Sequence, residues 1–184
     1  MIQTTSIILD NVLDETSIDK INIALGQSSS KSTWYDLNDN HIYDNFCVSL
    51  INLAGRYIDL SSCIGYEFWT RDNTKPTDWH QDKDEKLADE GILKFPLCSI
   101  VYYSCVKSLL GGRLYVEDDI ITPKTNRMII FAAGARHYVE DDIITPKTNR
   151  MIIFAAGARH YVEDFSGHRV SMLINPWDRY VSVN

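Results

Sequence analysis

Apolar residues first recur at helical spacing near the start of the chain, where Ile18, Ile21, Ile23 and Leu25 fall roughly on one face. Asp14, Thr16 and Ser17 stand before them as capping residues and Gly26 stands after, so the pattern predicts a helix over about 15–25. A polar loop over 27–32 is followed by Phe46, Val48, Leu50, Ile51, Leu53 and Ala54, ended by Gly55, which predicts a second helix. From Cys63 onward the pattern changes to short β-branched and aromatic runs between turn residues, at 66–70, 99–104, 113–116, 128–132, 151–155 and 170–174. Each run predicts a strand. Strands and helices do not alternate, so an antiparallel sandwich or barrel is favoured over a parallel doubly wound sheet, with both helices on one outer face. The whole chain, 1–184, reads as one domain: a helical N-terminal flank over about 1–60, then a β core over 63–177.

The β core carries a repeat. Residues 115–141 recur identically as 138–164, a period of 23, and the match ends sharply because Leu114 faces His137 and Asp142 faces Phe165. Evolved solenoid repeats diverge and need about three copies to bury a continuous core, whereas this is one identical tandem duplication, 115–137 and 138–160, within an unrelated chain. One copy suffices for a working fold. The other must loop out, add a strand or hairpin, or displace its twin. Its Met-Ile-Ile-Phe-Ala-Ala run is apolar and β-prone, so pairing within the molecule, or across a homodimer, is the expected outcome.

Composition narrows the class. With 45% hydrophobic and 23% charged residues the chain is an ordinary globular protein. Its 18 basic and 25 acidic residues leave a net charge of -7, which argues against a nucleic-acid partner. No apolar stretch approaches the roughly 18 residues of a membrane span, and the first ten residues lack a basic secretory n-region, so a cytoplasmic protein with no membrane partner is predicted. Cys47, Cys63, Cys98 and Cys105 show no Cys-x-x-Cys spacing and read as buried thiols.

Candidate chemistry begins at Trp79-His80-Gln81-Asp82. In extended backbone, residues two apart point to one side, so His80 and Asp82 can reach a single ion together. Downstream come Gly111-Gly112 before a strand, a proline at 123 or its copy at 146, an apolar strand, His160, and then Gly167-His168-Arg169-Val170-Ser171. Two histidines and a carboxylate form a facial triad that leaves three positions open on a non-haem Fe(II), enough for a bidentate 2-oxo acid and O2. Arg169 suits the distal carboxylate of 2-oxoglutarate, with Ser171 two residues on along the same strand face. His41 and His168 have no partner at ligand spacing and read as surface residues. The repeat offers two distal histidines, His137 and His160. His160 lies nine residues before Arg169, whereas His137 would need a connection of 32, so His160 is the chosen third ligand.

From residue 66 to 177 this set resembles the Fe(II)/2-oxoglutarate-dependent dioxygenases, in particular the prolyl-4-hydroxylase-like branch. The resemblance implies a double-stranded β-helix of jelly-roll type. It implies Fe(II), 2-oxoglutarate and O2 as cofactor and co-substrates, with ascorbate as a stimulant, and release of succinate and CO2. The implied reaction is hydroxylation of an amino acid, a peptide or protein side chain, or a related small molecule. By the same resemblance Tyr102 stands where the branch often has a tyrosine that hydrogen-bonds the co-substrate. A jelly-roll binding or structural protein, its site blocked by the second copy, is the rival reading.

Overall fold

The helices form where local chemistry starts and stops them. Ahead of α1 (Glu15–Leu25), the Asp14 carboxylate accepts from the Ser17 N–H at 2.9 Å and the Ser17 hydroxyl at 2.8 Å, satisfying a first-turn amide. α1 buries Ile21, Ala24 and Leu25. Ile23, grouped with that face by spacing, is 69% exposed, because two residues along a helix turn the side chain about 200° away from Ile21. In α2 (Asp44–Ala54), Cys47, Leu50, Ile51 and Ala54 are buried at the i, i+3, i+4, i+7 spacing of a single face.

The structure, a computed structural model, describes residues 6–25, 31–37, 44–72, 77–111, 114–116, 127–129, 148–155, 157, 159–162 and 164–183. Gly26, His41, the turn around Pro76, Gly112, Arg113, both prolines of the repeat and His137 lie outside these residues.

The remaining elements are β1 (Ser6–Asp10), β2 (Thr33–Asp36), β3 (Gly65–Asp72), β4 (Thr77–His80), the short α3 (Glu85–Asp89), β5 (Cys98–Gly111), β6 (Leu114–Val116), β7 (Arg127–Ile129), β8 (Arg150–Ala155), β9 (His160–Val162) and β10 (Phe165–Trp177). They form a larger sheet in the order β1-β7-β8-β5-β10-β3-β2 and a smaller one in the order β4-β9-β6. Pairing is antiparallel except between β7 and β8. Among the described residues no helix is long and apolar enough to cross a membrane.

The flank expected to be helical also contributes two strands. β1 and β2 flank α1 in the chain and join opposite ends of the larger sheet. β1 is a short apolar run whose partners, such as Ile153 opposite Ile7, lie far away in sequence, so no local periodicity announces it. Beyond Asp82 the chain forms α3, capped by the Asp84 carboxylate, which accepts from the Leu87 N–H at 3.1 Å.

Strand alternation divides the larger sheet into two unlike faces. One carries Leu9, Tyr66, Phe68, Cys98, Ile100, Tyr102, Met151, Ile153, Met172 and Ile174, and α1 and α2 pack against it to form the hydrophobic core. The opposite face takes the alternate residues, among them Glu67, Ser99, Tyr103, Arg150, Ser171 and Asn175. Glu67, Ser99, Tyr103 and Ser171 of this second face recur in the candidate site.

Candidate metal centre

The two histidines are placed by backbone pairing. β4 and β9 run antiparallel with His80 directly opposite His160, and their ring centroids lie 4.1 Å apart. β6 closes the other edge of β9, with Val116 opposite His160. Asp82 follows His80 by two residues, just beyond the end of β4, and its Oδ1 lies 3.9 Å from His160 Nε2. The side chains of His160 and Asp82 are 4% and 9% exposed. One donor atom from each of His80, Asp82 and His160 can be chosen so that all three lie within 4.8 Å of one another. Donors that share one ion through bonds of about 2.1 Å sit about 3–4 Å apart, so these three need only a small closing movement. Two imidazoles and a carboxylate also form a donor set suited to a divalent first-row transition metal.

Asp82 is held on its far side. Its Oδ2 accepts from the Ser99 hydroxyl at 2.6 Å, and Ser99 stands on the polar face of β5. Glu67 on β3 shares this face. Burial holds its carboxyl above the usual range, the Ser32 hydroxyl donating to Oε1 at 2.6 Å opposes that shift, and the charge of Asp82 adds to it.

Arg169 and Ser171, both 3% exposed, flank Val170 on β10. Val170 packs toward the helix-covered core, so its two neighbours point to the polar face. The Arg169 guanidinium carbon lies 4.3 Å from the centre of the Phe165 ring and 6.0 Å from that of Tyr103. Gly167, ahead of this pair, has φ +103° at a register shift between β10 and β5, and an added Cβ there would strike the Ser108 carbonyl.

Tyr102 requires a correction. It lies in the hydrophobic core on the helix-covered face, and its hydroxyl donates to Asn149 Oδ1 at 2.8 Å, the same oxygen that accepts from the Leu13 N–H. Burial raises the Tyr102 hydroxyl pKa. The neighbouring residue, Tyr103, faces the site: it stands between Arg150 on β8 and Ser171 on β10. Burial raises its pKa too, while the nearby Arg169 and Arg150 guanidinium groups pull it back. Adjacent tyrosines on one strand necessarily point to opposite faces, and only the position of the helices tells which face is covered. Ser99 and Glu67 carried no signal in the sequence, because neither belongs to a spaced motif.

No family model matches the chain, and no curated protein matches it by sequence. Solved structures do match. A Pseudomonas putida prolyl-4-hydroxylase aligns over 96% of this chain and 89% of its own, with a TM-score of 0.58 at 12% identity. An oxidoreductase of the 2OG-Fe(II) oxygenase family from Burkholderia pseudomallei aligns over 98% and 88%, with a TM-score of 0.60 at 10% identity. A Trichoplax adhaerens prolyl hydroxylase, solved in complex with a hypoxia inducible factor oxygen degradation domain peptide fragment, aligns over 95% and 84%, with a TM-score of 0.58 at 11% identity. The fold is therefore the jelly roll found in 2OG-Fe(II) oxygenases.

Proposed function

We propose that this chain is a non-haem Fe(II)- and 2-oxoglutarate-dependent dioxygenase. The observation that carries the reading is the convergence of His80, Asp82 and His160 from a strand pair and the loop beside it. These residues would hold the iron through two imidazole nitrogens and a carboxylate oxygen, leaving positions open for 2-oxoglutarate and O2. When bound, Fe(II) supplies oxidative decarboxylation of 2-oxoglutarate by O2 to succinate and CO2, with the second oxygen atom delivered to a substrate C–H bond.

The chain's own residues bind and orient. Arg169 takes the distal carboxylate of 2-oxoglutarate through paired N–H donors, and Ser171 offers a hydroxyl on the same face. Tyr103 takes the co-substrate-facing role that the family resemblance had suggested for Tyr102, because it shares a row with Ser171. Phe165, stacked on the guanidinium, shields that end from water. The substrate is an amino acid, a peptide or protein side chain, or a related small molecule. The peptide held by the Trichoplax enzyme supports the peptide class. A reducing, cytoplasmic setting goes with four cysteines that show no Cys-x-x-Cys spacing.

Anaerobic protein loaded with Fe(II) and 2-oxoglutarate should develop a weak visible charge-transfer band. Arg169→Ala should raise the 2-oxoglutarate concentration that half-develops it by roughly 10 to 100-fold, since a charge-assisted bidentate contact contributes about 1.5–3 kcal/mol. Folded wild-type protein with stoichiometric iron and no band would overturn the assignment.

A further inference from the structure

The three donors of the candidate centre are not held in the same way. His80 and His160 stand opposite each other in a backbone ladder, so their separation is set before either side chain chooses a rotamer. Asp82 has no such support, because it lies in the irregular segment 81–84 between β4 and α3. Three contacts fix the backbone of that segment. The Asp84 N–H donates to the Lys94 carbonyl at 2.9 Å, the Asp84 carboxylate caps α3, and the Gln81 side-chain amide donates to the Gly157 carbonyl ahead of β9. These contacts leave the direction of the Asp82 carboxylate open. Among the described residues, Ser99 supplies the hydrogen bond to it, and Ser99 is 1% exposed on a strand seated between β8 and β10.

We infer that Ser99 is the positioning residue that makes Asp82 a one-oxygen donor: its hydroxyl holds Oδ2 and leaves Oδ1 turned toward the histidines. The two carboxylate oxygens already divide in this way, with Oδ2 at 2.6 Å from Ser99 Oγ and Oδ1 at 3.9 Å from His160 Nε2. A 2.6 Å O–H···O⁻ contact is in the short, charge-assisted range, so turning the carboxylate to offer both oxygens would break a strong bond in a buried place. The consequence concerns coordination number. A carboxylate that binds through one oxygen leaves one more position on the ion than a chelating carboxylate does, and the facial triad needs that position for a bidentate co-substrate together with O2.

The inference rests on the metal site proposed above, and Co(II) titration with visible absorption separates the two. Wild-type protein should bind one Co(II). Ser99→Ala should bind it roughly 10 to 100-fold more weakly, the usual loss when a group that orients a ligand is removed, and with a changed d–d spectrum as the freed carboxylate turns. Ser99→Thr, which keeps the hydroxyl, should restore both affinity and spectrum, and would serve if the alanine variant failed to fold. A residue with only a packing role would instead lower the melting temperature of the metal-free protein and leave the spectrum of bound Co(II) unchanged. Wild-type affinity and spectrum in folded Ser99→Ala would overturn the inference alone; absence of Co(II) binding by the wild type would overturn the metal site with it.

Discussion

The three residues Arg-Met-Ile occur twice in this chain, once in β7 and once at the start of β8, and the fold gives the two stretches unequal places. Both meet β1 in one register: Ile8 lies opposite Ile129 and Ile152, and Leu9 opposite Met128 and Met151. Toward β1 they share that register, although β8 pairs along Ser6–Asp10 and β7, among the described residues, at Ile8 and Leu9. A larger difference lies on the other side. β8 pairs with β5 from Cys98 opposite Ala155 to Tyr103 opposite Arg150, whereas β7 meets β8 in parallel at Ile129 opposite Ile152. Beyond β1, the second copy gains a central strand as neighbour. Met151, Ile152 and Ile153 are fully buried there, each contributing about 1.5–3 kcal/mol. The residues just ahead of β8 dock as well, with Asn149 bonded to Leu13 and Tyr102 and the Thr148 hydroxyl bonded to the Val106 backbone. Identical sequence thus acquires different structure through its neighbours, and the copy beside β5 carries the histidine that stands opposite His80.

The strongest attempt to break this asymmetry targets the two histidines. His160→Ala should reduce Fe(II) or Co(II) affinity on the order of 100-fold, while His137→Ala should leave it within about threefold of wild type, both read by calorimetric titration. The reverse ranking would transfer the site to the first copy, and equal partial losses would mean that both copies occupy the place beside β5.

A second comparison uses the arginines that open the two strands. Arg150 is fully buried and its Nε lies 3.2 Å from Asp10 Oδ1, so Arg150→Ala should cost about 3–5 kcal/mol in urea denaturation by breaking this buried ion pair. Arg127→Ala should cost less, because β7 pairs with β1 over fewer residues than β8 does among the described residues. Similar losses from the two would contradict a single preferred copy.

Deleting residues 115–137 should have the smallest effect. Looping out an insert of this length costs only a few kcal/mol of closure entropy, because that cost grows slowly with length. The shortened chain should melt within a few degrees of the full chain, keep its metal affinity, and scatter light as a smaller species if β7 recruits a second chain through the β1 end of the sheet. A shortened protein that unfolds would show that the first copy is a structural part rather than a spare.

Much of this was legible in the sequence. Asp14 and Ser17 marked the start of α1, spacing marked the buried stripe of α2, and the runs after Cys63 marked β3, β5, β8 and β10, though β5 and β10 extend well past the predicted runs. The His-x-Asp spacing, the nine residues from His160 to Arg169 and the Gly167 turn are local signals, and the structure brings His80, Asp82 and His160 together. β1 and β2 were not legible, because a strand of four or five residues takes its stability from partners distant in the chain.

What the sequence determined by itself is therefore what acts over a few residues: where helices begin, which strand residues share a face, and that His80 and Asp82 can point the same way. Tertiary structure alone decided which face of the larger sheet the helices cover, and with that whether Tyr102 or Tyr103 looks into the site. It also decided which of two identical segments lies beside β5, and that Ser99, seventeen positions from Asp82 in the chain, holds its carboxylate. The physical reason is common to all three. Periodicity and capping are properties of one segment, whereas the choice of face, copy or distant partner depends on which arrangement buries the apolar stripes of α1 and α2 while pairing every strand, a sum taken over the whole molecule.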